Sequence, residues 1–243
     1  MDTRFTLSQR YRGPVVEGQH CGHGGYFCGQ VAKLAPGLRA LTILKPIPLE
    51  RELTVWISSG RVTVFDRDEE VGNSEVRGAP FAVTIPGPVS LGEAREAGTR
   101  FPGFTRRVVP ECFGCGDERA PGDGLRVFTG EVGARVNREK QLAGVWEPDG
   151  SSLDGDGFVR AEVLWAVLDC PGGWAIPGQC STLALQVEIL ERVPGDRPLI
   201  VRGWVQQAID DKRTSRYAGS ALLDEAGRVL ALGGAIWVRP KAS

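Results

Sequence analysis

The sequence predicts two tandem α+β units, each a helix followed by antiparallel strands. Three observations predict it. The order of elements in the first half recurs in the second. The strand segments alternate apolar and polar residues. The helix of the second half is apolar on nearly every face.

In the first half the helix is expected over His23–Leu34 (HGGYFCGQVAKL). Strands are expected over Ala40–Leu49 and Glu52–Ser59, and a hairpin over Arg61–Val76. In the second half Gly157–Leu168 is the helix, followed by strands at Thr182–Val193 and Pro198–Ile209 and a hairpin over Ser215–Val238. Details recur as well. Arg51-Glu-Leu-Thr-Val55 parallels Arg197-Pro-Leu-Ile-Val201, and Asp66 and Asp224 each begin an acidic turn between two strands. Leu183, Leu185, Val187 and Ile189 show the period of two of a sheet with one buried face. The second helix (Val159, Val163, Leu164, Trp165, Val167) must be covered on all sides. A curled sheet wrapped around it would do this, and two such units side by side would bury a sheet edge of each. The expected division is residues 1–90, a Gly-, Pro- and Arg-rich linker at 91–110, and residues 111–243.

Composition bounds the function. The net charge of −1 offers no field to draw the chain to nucleic acid or to a membrane surface. No apolar run has the ~20 residues of a membrane span. The charged N-terminus lacks a signal-like apolar segment, and six cysteines without one imply a reducing compartment, so a cytoplasmic protein is expected. There is no G-x-S-x-G, G-x-G-x-x-G or P-loop motif. Both histidines lie before residue 24, so the second helix has none for a hydratase-type Asp/His pair.

Three stretches carry a resemblance: Gly22-His-Gly-Gly-Tyr26, Cys112-Phe-Gly-Cys-Gly116 with Gly122-Asp-Gly-Leu125, and Leu168-Asp-Cys-Pro-Gly-Gly-Trp-Ala175. In this order, the chain resembles the hotdog-fold acyl-CoA thioesterase superfamily over roughly residues 10–240. The resemblance implies a double hotdog and hydrolysis of an acyl-CoA or acyl-carrier-protein thioester, with no metal or organic cofactor. In such proteins one helix carries His-Gly-Gly and, nine residues after the His, an acid. Here that position after His23 is Ala32, and the position nine before Asp169 is Arg160. One half keeps the glycines and the other the acid. The resemblance therefore implies one composite site, with Gly24 and Gly25 facing Asp169. Backbone N–H groups at the helix start would hold the oxyanion. Asp169 would be general base or nucleophile, its pKa raised by apolar surroundings. Ser181 or Thr182 would orient the water or the acid, and His23, Tyr26 and Glu17 would line the substrate. Glu17 is a departure from the family's pattern.

Other readings of the same residues stay open. Asp169 could cap its own Pro-Gly turn, and Gly24-Gly25 could be a tight loop. Tyr26 and Gln30 could be core, as could Trp165, Trp174 and Trp204. Cys112-x-x-Cys115 is half of a zinc site, to which Cys21, His20 and His23 could add, but a second clean pair is missing. Arg106, Arg107 and Arg119 could meet CoA phosphates or lie in a solvated loop. A non-catalytic acyl-CoA-binding or assembly protein on the same scaffold is the rival function. Homo-oligomers would form through sheet edges.

Overall fold

The structure is a computed structural model and describes residues 2–74, 83–133, 139–178, 180–207 and 215–239. Among these described residues thirteen strands and five α-helices follow one another. They are β1 (Asp2–Thr6), β2 (Arg12–Val16), β3 (Gln19–Gly22), α1 (Gly24–Leu34), β4 (Ala40–Ile43), β5 (Glu52–Ser58), β6 (Arg61–Asp66), β7 (Glu69–Asn73), α2 (Leu91–Gly98), α3 (Gly103–Arg106), β8 (Gly130–Glu131), β9 (Gln141–Trp146), α4 (Ala161–Val167), α5 (Cys170–Ala175), β10 (Ser181–Ile189), β11 (Leu199–Gln207), β12 (Ser215–Leu223) and β13 (Val229–Val238).

Eleven strands form one antiparallel sheet in the order β1-β5-β6-β7-β4-β10-β13-β12-β11-β9-β8. Strands from the first half of the chain fill one end and those from the second half the other. They meet where β4 pairs β10, with Leu41 opposite Leu185. The hairpin turns follow from local chemistry. Ser59-Gly60 and Glu17-Gly18 all have positive φ, the geometry that matches a two-residue turn to strand twist.

α1 and α4 pack against each other, and the sheet closes over them. A single core joins Phe27 and Val31 of α1, Val163, Leu164 and Trp165 of α4, Val55 and Val64 at one end of the sheet, and Val201 and Leu222 toward the other. Two glycines set the close approach. A Cβ on Gly25 would lie 2.6 Å from the Trp165 carbonyl oxygen, and one on Gly29 2.7 Å from Glu162 Cα. These residues sit four apart on one face of α1, so backbone lies on backbone.

Several elements differ from the sequence reading. Pro171-Gly172-Gly173 does not break the helical run into a loop. It lies within α5, because proline is tolerated in a first helical turn, where its missing N–H would be unpaired anyway. The strand expected over Ala40–Leu49 is β4 and ends at Ile43, and Lys45–Leu49 is irregular. The alternation of β10 shifts at a bulge between Thr182 and Ala184, and Ile189 is exposed. Residues 91–110 hold α2 and α3. Ser90 and Glu93 form a capping box at the start of α2, and Ala94 and Ala97 bury against Ala143 and Trp204. Strands β1–β3, β8 and β9 carry no signal in that reading. The ends of two expected strands, at 75–76 and 208–209, lie outside the described residues.

Candidate active site

The N-terminus of α1 leaves N–H groups that no earlier helical turn can accept. Three are taken. His23 N–H donates to the Tyr11 carbonyl at 2.8 Å. Gly25 N–H donates to Asp169 Oδ2 at 2.7 Å. Tyr26 N–H donates to His23 Nδ1 at 3.2 Å. Gly24 N–H has no acceptor among the described residues.

Asp169 sits between α4 and α5, and its side chain does not turn back to cap α5. It reaches across to α1 instead. Thr182 Oγ1 on β10 donates to Asp169 Oδ1 at 2.7 Å, so each carboxylate oxygen has a donor from a different element. Ser220 Oγ donates to the Leu168 carbonyl at 2.6 Å and anchors the end of α4 just before Asp169. His23 Nε2 lies 3.8 Å from Asp169 Oδ2.

The carboxylate is buried, and desolvation raises its pKa above the usual range. The nearby His23, the Thr182 hydroxyl and the Gly25 N–H oppose that rise without cancelling it. Burial alone would lower the pKa of His23. The Cys112 thiol and Asp169 outweigh it, and the net direction is upward.

Gly24 is only partly buried, as are Ile43, Ser181 and Thr182 around it. A Cβ on Gly24 would lie 3.1 Å from Ile43 Cδ1, 3.3 Å from Asp169 Oδ2 and 3.6 Å from Thr182 Cβ. The space above Gly24 is thus bounded by an apolar side chain, the carboxylate and the threonine that holds it.

The other expected site residues are placed as follows. Ser181 starts β10 beside Thr182, and of these two hydroxyls it is that of Thr182 that bonds Asp169. Tyr26 is buried and stacks on Tyr11 at 3.8 Å between centroids, with Phe113 edge-on to both, so it is core. Glu17 is exposed in the turn between β2 and β3, and the chain does not bring it to Asp169. In the counterpart pair, Arg160 bonds Glu162 and the Ser151 carbonyl. Trp165, Trp174 and Trp204 each belong to an apolar cluster. Arg107 pairs with Glu118. Arg119 is buried and bonds Asp123 and the Glu111 carbonyl, so it is no solvated loop residue. A groove of about 710 Å³ lined by Arg95, Phe104, Arg126, Phe128 and Trp146 lies apart from Asp169.

The sequence reading names Cys112, Cys115 and His23 as possible metal ligands but leaves out Cys170, which joins them in a sulfur cluster beside this site. Cys170, the residue after Asp169, lies against Cys112 and His23. The adjacency of Asp169 and Cys170 was the available signal.

No protein-family model matches the chain, and no curated protein matches it in sequence. Solved structures do. The tesB protein of Mycobacterium avium subs paratuberculosis is 13% identical over 95% of this chain and 93% of its own, with a TM-score of 0.57. A protein described as a thioesterase from Novosphingobium aromaticivorans is 16% identical over 98% of this chain and 95% of its own, with a TM-score of 0.58. The chain shares the fold of these thioesterase-superfamily proteins.

Proposed function

With a fold shared with thioesterase-superfamily proteins as the premise, we propose that the chain is a tandem double hotdog that hydrolyses an acyl thioester at one site between its halves. One observation carries this reading: Gly24, at the start of α1, has an unpartnered N–H, and the carboxylate of Asp169 borders the space where its Cβ would be. A thioester carbonyl resting over Gly24 meets a free donor at the positive end of a helix, where negative charge is stabilised as the carbonyl is attacked. Of the two expected glycines, Gly24 takes this role, because Gly25 N–H is already held by Asp169.

Asp169 then accepts a proton from a water molecule. The hydroxide forms a bond to the carbonyl carbon, the oxyanion collapses, and the C–S bond breaks. The departing thiolate takes the proton back from Asp169, leaving free acid and thiol. The raised pKa of Asp169 brings it nearer that of an effective base. Thr182 holds Oδ1 so that the carboxylate keeps its orientation. The substrate is an acyl-CoA or an acyl-carrier protein. A cytoplasmic setting suits either, and no helix among the described residues is long and apolar enough to cross a membrane. Copies would pair through the edges of the sheet, at the outer strands β1 and β8.

The occupied Gly25 N–H favours one rival, an acyl-CoA-binding protein without turnover. Free CoA released from short, long and aromatic acyl-CoAs, read by mass spectrometry, separates the two. Turnover that falls by about 10²–10⁴ in Asp169→Asn supports hydrolysis. Saturable binding with no turnover on any substrate overturns it.

A further inference from the structure

Behind the candidate base, four side chains from three separate parts of the chain converge. Cys112 and Cys115 come from the loop before β8, Cys170 opens α5, and His23 caps α1. All are buried. Cys112 Sγ lies 3.8 Å from Cys170 Sγ, and His23 Nε2 lies 3.2 Å from Cys170 Sγ. The ligand atoms of His23, Cys112 and Cys170 all fall within 4.8 Å of one another. Cys115 lies outside that trio but packs in the same buried cluster as Cys112 and Cys170.

We propose that these four residues, Cys112, Cys115, Cys170 and His23, bind one tetrahedral zinc ion or a similar soft divalent cation. The proposal is independent of the thioesterase reading. A zinc–thiolate bond of about 2.3 Å sets sulfur–sulfur edges of about 3.8 Å in a tetrahedron. The Cys112–Cys170 separation fits that edge and is far longer than a disulfide. Three cysteines and one histidine are also a common structural zinc set.

The surroundings are built to hold this arrangement. A Cβ on Gly114, between the two cysteines of the loop, would lie 2.6 Å from His23 Nε2 and 2.8 Å from Cys170 Sγ. Only glycine lets the loop wrap the cluster this closely. Gly116 N–H donates to the Cys112 carbonyl at 2.8 Å and closes the turn. Trp174 Nε1 donates to Cys115 Sγ at 3.2 Å, an outer-shell contact that orients a sulfur ligand. Arg119 Nε donates at 2.8 Å to the carbonyl of Glu111, the residue before Cys112, and its Nη2 has no partner among the described residues. It would offset the net negative charge of three thiolates on a divalent ion. His23 accepts at Nδ1 from the Tyr26 N–H, which leaves its ring proton on Nε2. Metal binding replaces that proton, moves the ring proton to Nδ1, and gives up the Tyr26 bond, which at 3.2 Å is a long one. His20 and Cys21 are not part of the set. His20 pairs with Glu111 at 3.0 Å, and Cys21 donates to the Pro14 carbonyl.

Such an ion would clamp the loop, α1 and α5 together and fix Asp169 opposite the glycines. The test is metal content by plasma mass spectrometry after untagged expression with added zinc, with native mass spectrometry of the same sample. The expected result is about one zinc per chain. Exchange for cobalt(II) should give the visible bands of tetrahedral thiolate cobalt. Cys112→Ser and Cys170→Ser should each lose the metal, while Cys180→Ser, outside the cluster, should keep it. Where a variant fails to fold, the wild type decides: blocking its six thiols after denaturation should release about one zinc per chain to a zinc-binding dye, and no released zinc overturns the proposal. A metal-free chain after zinc loading overturns the proposal. So does a Cys112–Cys170 disulfide, or bound metal that survives both serine substitutions.

Discussion

Gly25 gives its backbone N–H to Asp169 Oδ2 across 2.7 Å, so the first turn of α1 and the end of α4 are joined through one carboxylate. The sequence separates these residues widely, and only the packing of α1 on α4 brings them together. The contact gives Gly24 and Gly25 different tasks, and substitution should separate them.

Gly25→Ala should cost about 1–3 kcal/mol of stability, read by chemical denaturation. Its new methyl meets backbone, 2.6 Å from the Trp165 oxygen and 2.9 Å from Ala166 Cα, and neither helix can yield cheaply. Gly24→Ala should leave the midpoint nearly unchanged, because its methyl meets side-chain ends at 3.1 Å and beyond. It should nevertheless cut hydrolysis by about 10²-fold by filling the space for the carbonyl oxygen. Equal stability losses in the two variants would refute this division.

Thr182→Val keeps the shape of the side chain and removes the donor to Asp169 Oδ1. Hydrogen bonds to charged groups contribute about 1.5–3 kcal/mol, so turnover should fall by about tenfold or more. Thr182→Ser should restore most of it. Steady-state rates on one acyl-CoA check both, and an unaffected valine variant would remove Thr182 from the site.

Ser220→Ala leaves the Leu168 carbonyl without its hydroxyl donor at the end of α4. A loss of about 1–3 kcal/mol is expected from calorimetry or denaturant melts. Activity should fall with it, because Leu168 directly precedes Asp169. A variant as stable as the wild type would show that the bond contributes little.

Asp224, in the turn between β12 and β13, offers a test by pH. Burial would raise its pKa, but the N–H of Arg228 at 2.8 Å and the Arg228 guanidinium at 3.1 Å hold it below the usual value. A carboxyl with a lowered folded pKa stabilises the fold above its unfolded pKa of about 3.9 and loses that effect as pH falls through the folded value. The melting temperature of wild type should therefore exceed that of Asp224→Asn near neutrality, and the gap should shrink toward zero in acid. A gap that widens in acid would reverse the assignment.

Much of this architecture was legible from local pattern. The all-round apolar run Val163–Leu168 requires burial, and the acidic turn begun at Asp66 joins two paired strands, β6 and β7. The Asp169–Gly25 approach came from family likeness, since nothing local links residues so far apart. What stayed hidden depends on tertiary context. β9 contains Ala143-Gly144, a poor strand former, and Gly144 is there because the Phe128 backbone presses on it. Thr182 could not be told from Ser181 because the bulge in β10 decides which hydroxyl reaches the carboxylate. Cys170, in an apolar segment, carries no local sign of a role because its partners, Cys112 and Cys115, come from a distant loop.

The junction of β4 with β10 has a consequence for how the molecule assembles. It consists of three residue pairs, Thr42–Ala184, Leu41–Leu185 and Ala40–Gln186, whereas β12 and β13 pair along nearly their whole length. Every pair at the seam joins residues far apart in the chain, so its ordering entropy is met only after each half has organised its nearer contacts. The seam is therefore the late step of folding. It is also the step that a second chain can supply: at high concentration during refolding, β4 of one molecule can find β10 of another, and the same interface that completes the monomer becomes the route to a domain-swapped dimer.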